Sequence, residues 1–170
     1  MVVFSEKQKF RQWWIWLALV AMISFMVYGI YQQTILKKPF GNNPANDTVL
    51  ILISLVPLII LVLFMFSELE TEISDRGVSY KFFPFHWKRR TIVWGDIEKA
   101  FIRKYRPIIE YGGWGLRLGI FGNGRLLSVS GNMGLQLILK SGKRLLLGTR
   151  KPEELEKVIK LILDKKSDII

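Results

Sequence analysis

The residues able to do chemistry are few and scattered. His86 is the one histidine in the chain, and cysteine is absent. Metal sites built on several histidines, thiolate ligands, cysteine nucleophiles, disulfides and Ser-His-Asp catalysis all lose their supports. Asp96 and Glu98 share one face of an extended run at two-residue spacing, the arrangement of a carboxylate pair for acid–base work. Asp96 follows Gly95 in a turn and Lys99 is adjacent, which makes the pair a fold feature. Glycine is dense from Gly112 to Gly134, but no G-x-x-x-x-G-K followed by Ser or Thr is present, and no G-x-G-x-x-G opens a helix. Such glycines serve bulges, tight turns and close strand approach. The expectation is a protein that is not an enzyme and uses no cofactor or metal.

Positive charge is the other candidate. Lys88, Arg89 and Arg90 follow His86 and Trp87 in an early strand-to-strand loop, with Lys81 nearby and Arg103, Lys104 and Arg106 on another segment. Basic residues with aromatic neighbours suit contact with an anionic lipid surface, worth about 1 kcal/mol per residue. The competing reading is that the cluster is the basic flank of a membrane helix. Nucleic acid is not the expected partner, because the basic residues are dispersed and no recognition motif is present.

These groups must be positioned by a chain of segregated composition. Its 170 residues combine 50% hydrophobic residues with a net charge of +11. Trp13 to Tyr31 contains no ionisable side chain apart from two tyrosines, and Val49 to Phe66 contains none. At the helical rise each stretch is roughly 27–29 Å long, close to the ~30 Å hydrocarbon core. From Ser67 onward there are 20 Lys or Arg against 12 Asp or Glu, so that piece holds +8 of the charge.

The organisation expected is a cytoplasmic flank over 1–12, transmembrane helices over 13–31 and 49–66, an extracytoplasmic loop over 32–48, and a cytosolic domain over 67–170. Trp13, Trp14 and Trp16 at one end of the first helix and Tyr28 and Tyr31 at the other match the aromatic belts of a bilayer. Lys7, Lys9 and Arg11 precede the first helix and Arg76, Lys81 and Lys88–Arg90 follow the second, against Lys37 and Lys38 between them. This bias puts both termini in the cytoplasm, with the protein in the membrane as a two-helix hairpin. A cleavable signal peptide ending after Gly29 competes with this reading, but the run is long for one and a second apolar helix follows. Pro57 should kink the second helix rather than break it. Asn46-Asp47-Thr48 matches a glycosylation triplet by chance.

Beyond Ser67 the period shortens. Leu69, Thr71 and Ile73 alternate with polar residues, Asp75-Arg76-Gly77 turns the chain, and Val78 to Phe83 resumes: a hairpin. Short runs over Arg90–Trp94, Ile97–Tyr105, Leu116–Ile120, Leu126–Val129, Leu135–Leu139 and Leu145–Leu147 follow, with Pro107 stopping the second. Pro152, Glu153 and Glu154 then open an amphipathic helix carrying Leu155, Val158, Ile159 and Ile162. The fold expected is a bent antiparallel sheet or barrel of about seven strands closed by a C-terminal α-helix.

Ile73-x-x-x-Gly77-Val78-x-Tyr80, the Pro84-Phe85 break, Ile92-x-Trp94-x-Asp96-Ile97 and the closing Leu147-Gly148-Thr149-x-Lys151-Pro152-Glu153-Glu154-Leu155 resemble bacterial pleckstrin-homology-like (PH-like) domains. The resemblance covers Ser67 to Asp164. Such domains commonly adjoin transmembrane helices, and the likeness implies a fold without assigning any functional residue. The resemblance implies a bacterial cytoplasmic (inner) membrane as the location, and the function expected is a membrane-anchored PH-like module that binds a protein partner or self-associates at the inner leaflet. The alternatives are an auxiliary subunit of a transporter or enzyme complex, for which Ser24, Gly29 and Ser54 would allow close helix contact, and a binder of anionic lipid headgroups.

Overall fold

The computed structural model describes residues 2–119 and 122–167. The expected strand end at Ile120 and the last residues, 168–170, lie outside the described residues. The chain divides into two compact units. One is Arg11–Phe66; the other joins the segment ending at Phe10 to everything from Ser67 onward.

The first unit is a helical hairpin. α1 (Trp13–Ile30) runs on through a wider π turn, Tyr31–Ile35, and α2 spans Asp47–Phe66. Both helices are long and apolar enough to cross a membrane, with mean hydropathies of 1.9 and 3.2, and only 11% of each span is buried. A core helix of that hydropathy would be sheltered by the rest of its domain, whereas these apolar flanks call for lipid. Leu19, Gly29, Leu50 and Pro57 are the buried positions on the two helices. α2 continues through Pro57 without a break. Phe40, from the connecting loop, packs on Phe25 and Tyr28 with centroids 5.2 and 6.4 Å apart, and a Cβ on Gly29 would stand 2.7 Å from its ring. Gly29 thus admits a loop aromatic. Asn46 accepts a hydrogen bond from the Val49 N–H at 2.8 Å and caps the start of α2.

Among the described residues, the second unit holds nine strands in two open sheets. β1 (Val2–Lys9), β2 (Glu68–Ser74), β3 (Gly77–Phe83) and β4 (Arg90–Val93) form one, in that order. The other contains β5 (Ile97–Lys104), β6 (Gly115–Leu118), β7 (Arg125–Ser128), β8 (Met133–Leu139) and β9 (Arg144–Gly148), ordered β5-β8-β9-β7-β6. A five-residue helix, α3 (Pro107–Tyr111), follows β5, and α4 (Pro152–Ser167) ends the described chain.

The C-terminal helix stands as expected, and the barrel does not. The sheets stay open because a 3-10 turn, Trp94–Asp96, separates β4 from β5 and carries the chain into the second sheet. Nor is the pairing wholly antiparallel: β9 lies between β8 and β7 and runs parallel to β7. Nine strands replace about seven, and β1 comes from the segment read as a flank. Its inward residues are Phe4, Glu6 and Gln8, and two polar residues at buried positions hide the strand period.

The core takes alternate residues from β1, β2 and β3 and consecutive ones from β7, β8 and β9. Leu69 and Ile73 of β2, Val78 and Phe82 of β3, Leu135 and Leu137 of β8, and Leu146 of β9 are fully buried. Each such side chain contributes about 1.5–3 kcal/mol through apolar burial. α4 packs on β5, β8 and β1, burying Leu155, Ile159 and Ile162 at helical spacing. Gly124, at φ 80°, lies so close to the Arg144 carbonyl that a Cβ would overlap it. One of the clustered glycines therefore has the close strand approach expected of it.

Candidate functional site

The basic residues singled out above fall on both sheets. Lys81, Lys88, Arg89 and Arg90 belong to β3, β4 and the turn between them; Arg103, Lys104 and Arg106 lie on β5 and at the start of α3. Their commitments differ. Arg89 pairs with Glu72 and, at 3.0 Å, with Glu70, whose carboxylate also meets Lys7 at 2.7 Å. The Lys7 ammonium, and after it the Arg89 guanidinium, hold Glu70 below the ordinary carboxylate range against its partial burial. Arg103 bonds Glu110 at 2.9 Å, the Gln136 amide oxygen at 3.0 Å and the Tyr111 hydroxyl at 3.1 Å. Lys88, Arg90, Lys104 and Arg106 are exposed.

Each exposed basic pair borders an exposed apolar tip. In the β3–β4 turn, Phe85 and Trp87 are 54% and 78% exposed, with Trp87 edge-on to Phe83 at 5.5 Å. On α3, Ile108 and Ile109 are 68% and 65% exposed. Their outward pose has a local cause. Pro107 stands at the helix start and Gly112 ends it in the left-handed region at φ 71°. Tyr111 is buried against Tyr105, and Glu110 is drawn back by Arg103 and by the Arg106 N–H at 2.6 Å. With 110 and 111 held inward, 108 and 109 point out. Trp114 donates to the Gly131 carbonyl at 2.8 Å and walls an open groove of about 800 Å³ shared with Lys104, Arg106, Ile108 and Ile109.

No family model matches this chain, and no curated protein is similar enough to match it. The site is therefore read from its own geometry.

The acid–base candidates lie elsewhere. His86 is buried, edge-on to Tyr80 at 6.0 Å, and its Nδ1 has no hydrogen-bond partner among the described residues. Burial, then the positive charges of Arg90 and Arg125, lower its pKa below 6.5. Asp96 sits in the 3-10 turn, where its carbonyl accepts from the Lys140 N–H at 2.9 Å, and Glu98 is exposed on β5. A second groove, of about 370 Å³, runs between β5 and α4 along Trp94, Ile97, Ala100, Phe101 and Leu163.

Sequence reasoning missed α3 and its isoleucines. Five residues are too few to show a helical period. The available signal was Pro107 and Gly112 bracketing the segment as helix start and stop.

Proposed function

We propose that the chain is a non-enzymatic membrane-anchored module with a PH-like domain, which it holds at the cytoplasmic face of a bacterial inner membrane for a protein partner or a second copy. The observation that carries this reading is the pairing of β1 with β2. These strands flank the helical hairpin in sequence, and Lys9 lies opposite Glu68 in their ladder. A ladder that joins the strand before the first helix to the strand after the second supports a hairpin that crosses the bilayer and returns, with both strands on one side. The excess of Lys and Arg in the segments flanking the hairpin supports the cytoplasmic side. Strands followed by one packed C-terminal helix, with the residue resemblance over Ser67–Asp164, support the PH-like reading.

The surface that suits a protein partner is the β5–α4 groove. Phe101 and Leu163, which line it, are 41% and 40% exposed, apolar side chains of the kind that mark protein contacts. A photo-crosslinking amino acid at Leu163, irradiated in native membranes, is expected to give one discrete adduct, either with a single protein or with the chain itself. Lys157, exposed on the same helix, serves as the control position. Equal, diffuse crosslinking at both positions would overturn the reading.

A further inference from the structure

The apolar tips belong to the end of the β unit from which the chain leaves for its helices. Lys9, Glu68 and Phe83 are aligned in register across β1, β2 and β3. Three residues separate Lys9 from Trp13, the first residue of α1, and one residue separates Phe66, the last of α2, from Glu68. At about 3.5 Å per extended residue, these links give the strand ends little reach. The β3–β4 turn begins at Phe83, on the aligned edge. The groove bearing α3 is tied to that edge through Arg150, whose guanidinium donates to the Lys9 carbonyl at 3.1 Å and to the Ser130 hydroxyl at 2.8 Å. Gly131, the next residue, receives the Trp114 indole. The opposite end of β8 and β9 is the turn at Ser141, because Gly134 pairs with Gly148 and Ile138 with Arg144.

We infer that this end of the β unit is a second, monotopic membrane contact: Phe85, Trp87, Ile108 and Ile109 enter the boundary between headgroups and acyl chains, while Lys88, Arg90, Lys104 and Arg106 lie among anionic headgroups. The occupant is the lipid surface because the contact combines exposed aliphatic and aromatic tips with flanking cations, the composition that holds interfacial segments in an anionic leaflet. The short links also confine it to the neighbourhood of the bilayer. The contact rests on the membrane-anchored reading and adds a fixed orientation: the domain is pinned by its tips as well as by its tether, which leaves the Ser141 end facing water.

The test uses the full chain in nanodiscs, with single cysteines at Trp87, Ile109 and Ser141 in a sequence that has none. Spin labels report collision with oxygen, which partitions into lipid, and with a water-soluble nickel chelate. In discs containing anionic phosphatidylglycerol, the oxygen-to-nickel accessibility ratio is expected to be several-fold higher at 87 and 109 than at 141. It should fall towards the value at 141 in purely zwitterionic discs. The double variant Ile108→Ser with Lys104→Gln, labelled at Trp87, is expected to lower the ratio while leaving incorporation into discs unchanged. Ratios at 87 and 109 equal to that at 141 would overturn the lipid contact alone, since incorporation itself reports the hairpin. Shielding of 109 from both reagents would overturn it in favour of a protein contact, and failure of the chain to enter discs would sink the anchored reading beneath it.

Discussion

The Thr149 hydroxyl donates to the Glu6 carboxylate across 2.6 Å, joining positions 143 residues apart in the chain. The same carboxylate accepts the Arg150 N–H at 2.9 Å, and two residues along β1 the Gln8 amide donates to the Gly148 carbonyl at 2.8 Å. Thr149 in turn accepts from the Lys151 N–H at the approach to α4. The N-terminal strand is thereby fastened to the junction between β9 and α4 by polar bonds in a buried place.

Removing this fastening should be costly. Glu6→Ala strips the Thr149 hydroxyl and the Arg150 N–H of a charged acceptor, and the expected loss is about 1.5–3 kcal/mol of unfolding free energy. Thr149→Val should cost less, because Arg150 keeps its bond. The double variant should lose less than the two single losses together, since the groups share one network. Chemical denaturation of the full chain in detergent measures all three.

The β1–β2 ladder makes a topological prediction. Single cysteines at Ser5 and Ser141 should respond alike to an impermeant label on intact cells, and Asn43 should respond oppositely. All three positions are exposed. Labelling at Asn43 alone is the expected result and supports a cytoplasmic β unit. Labelling at Ser5 and Ser141 alone would reverse the orientation yet keep the ladder, and a split between Ser5 and Ser141 would break it.

His86 gives the domain a pH dependence with a definite sign. Its folded pKa lies below the unfolded value of about 6.5. The unfolded chain therefore takes up the proton first as pH falls, so stability is full above about pH 7 and declines through 6.5 towards the folded pKa. His86 is the one histidine in the chain, and so the one side chain whose ordinary pKa falls in this range. His86→Gln should flatten denaturation midpoints measured between pH 7.5 and 5.5. A slope that survives the substitution would assign the effect to another group.

Gly124→Ala should destabilise the β unit by more than about 1 kcal/mol, because both its positive φ and its approach to the Arg144 carbonyl oppose a Cβ. Gly142→Ala, also at positive φ but with open space around it, should cost less. Equal losses at the two positions would show that backbone strain, rather than the close approach, dominates at Gly124.

Much of this architecture is legible in local pattern. The uncharged stretches after Trp13 and Val49, the Asp75-Arg76-Gly77 turn and the Pro152-Glu153-Glu154 helix start each act within a few residues, so their sequence signals survive intact. The candidate site is less legible. Arg89 and Lys88 are indistinguishable as neighbouring cations in sequence; only the fold places Glu70 and Glu72 beside Arg89 and leaves Lys88 exposed. Nothing in the local pattern marks Ile108 and Ile109; Glu110 and Tyr111, held by Arg103 and Tyr105, turn them outward.

By itself the sequence determined the segregation of the chain into two membrane-length apolar helices and a basic β-rich piece, because hydropathy and turn chemistry are properties of short windows. Tertiary structure alone decided that Val2–Lys9 is a strand of that piece, that the strands divide into two open sheets with β7 and β9 parallel, and that the exposed tips gather at the end bearing Lys9 and Glu68. Those outcomes depend on hydrogen bonds between residues far apart in sequence, such as Glu6 with Thr149 and Arg150 with Lys9, and no local period records which distant partner a buried polar side chain will meet.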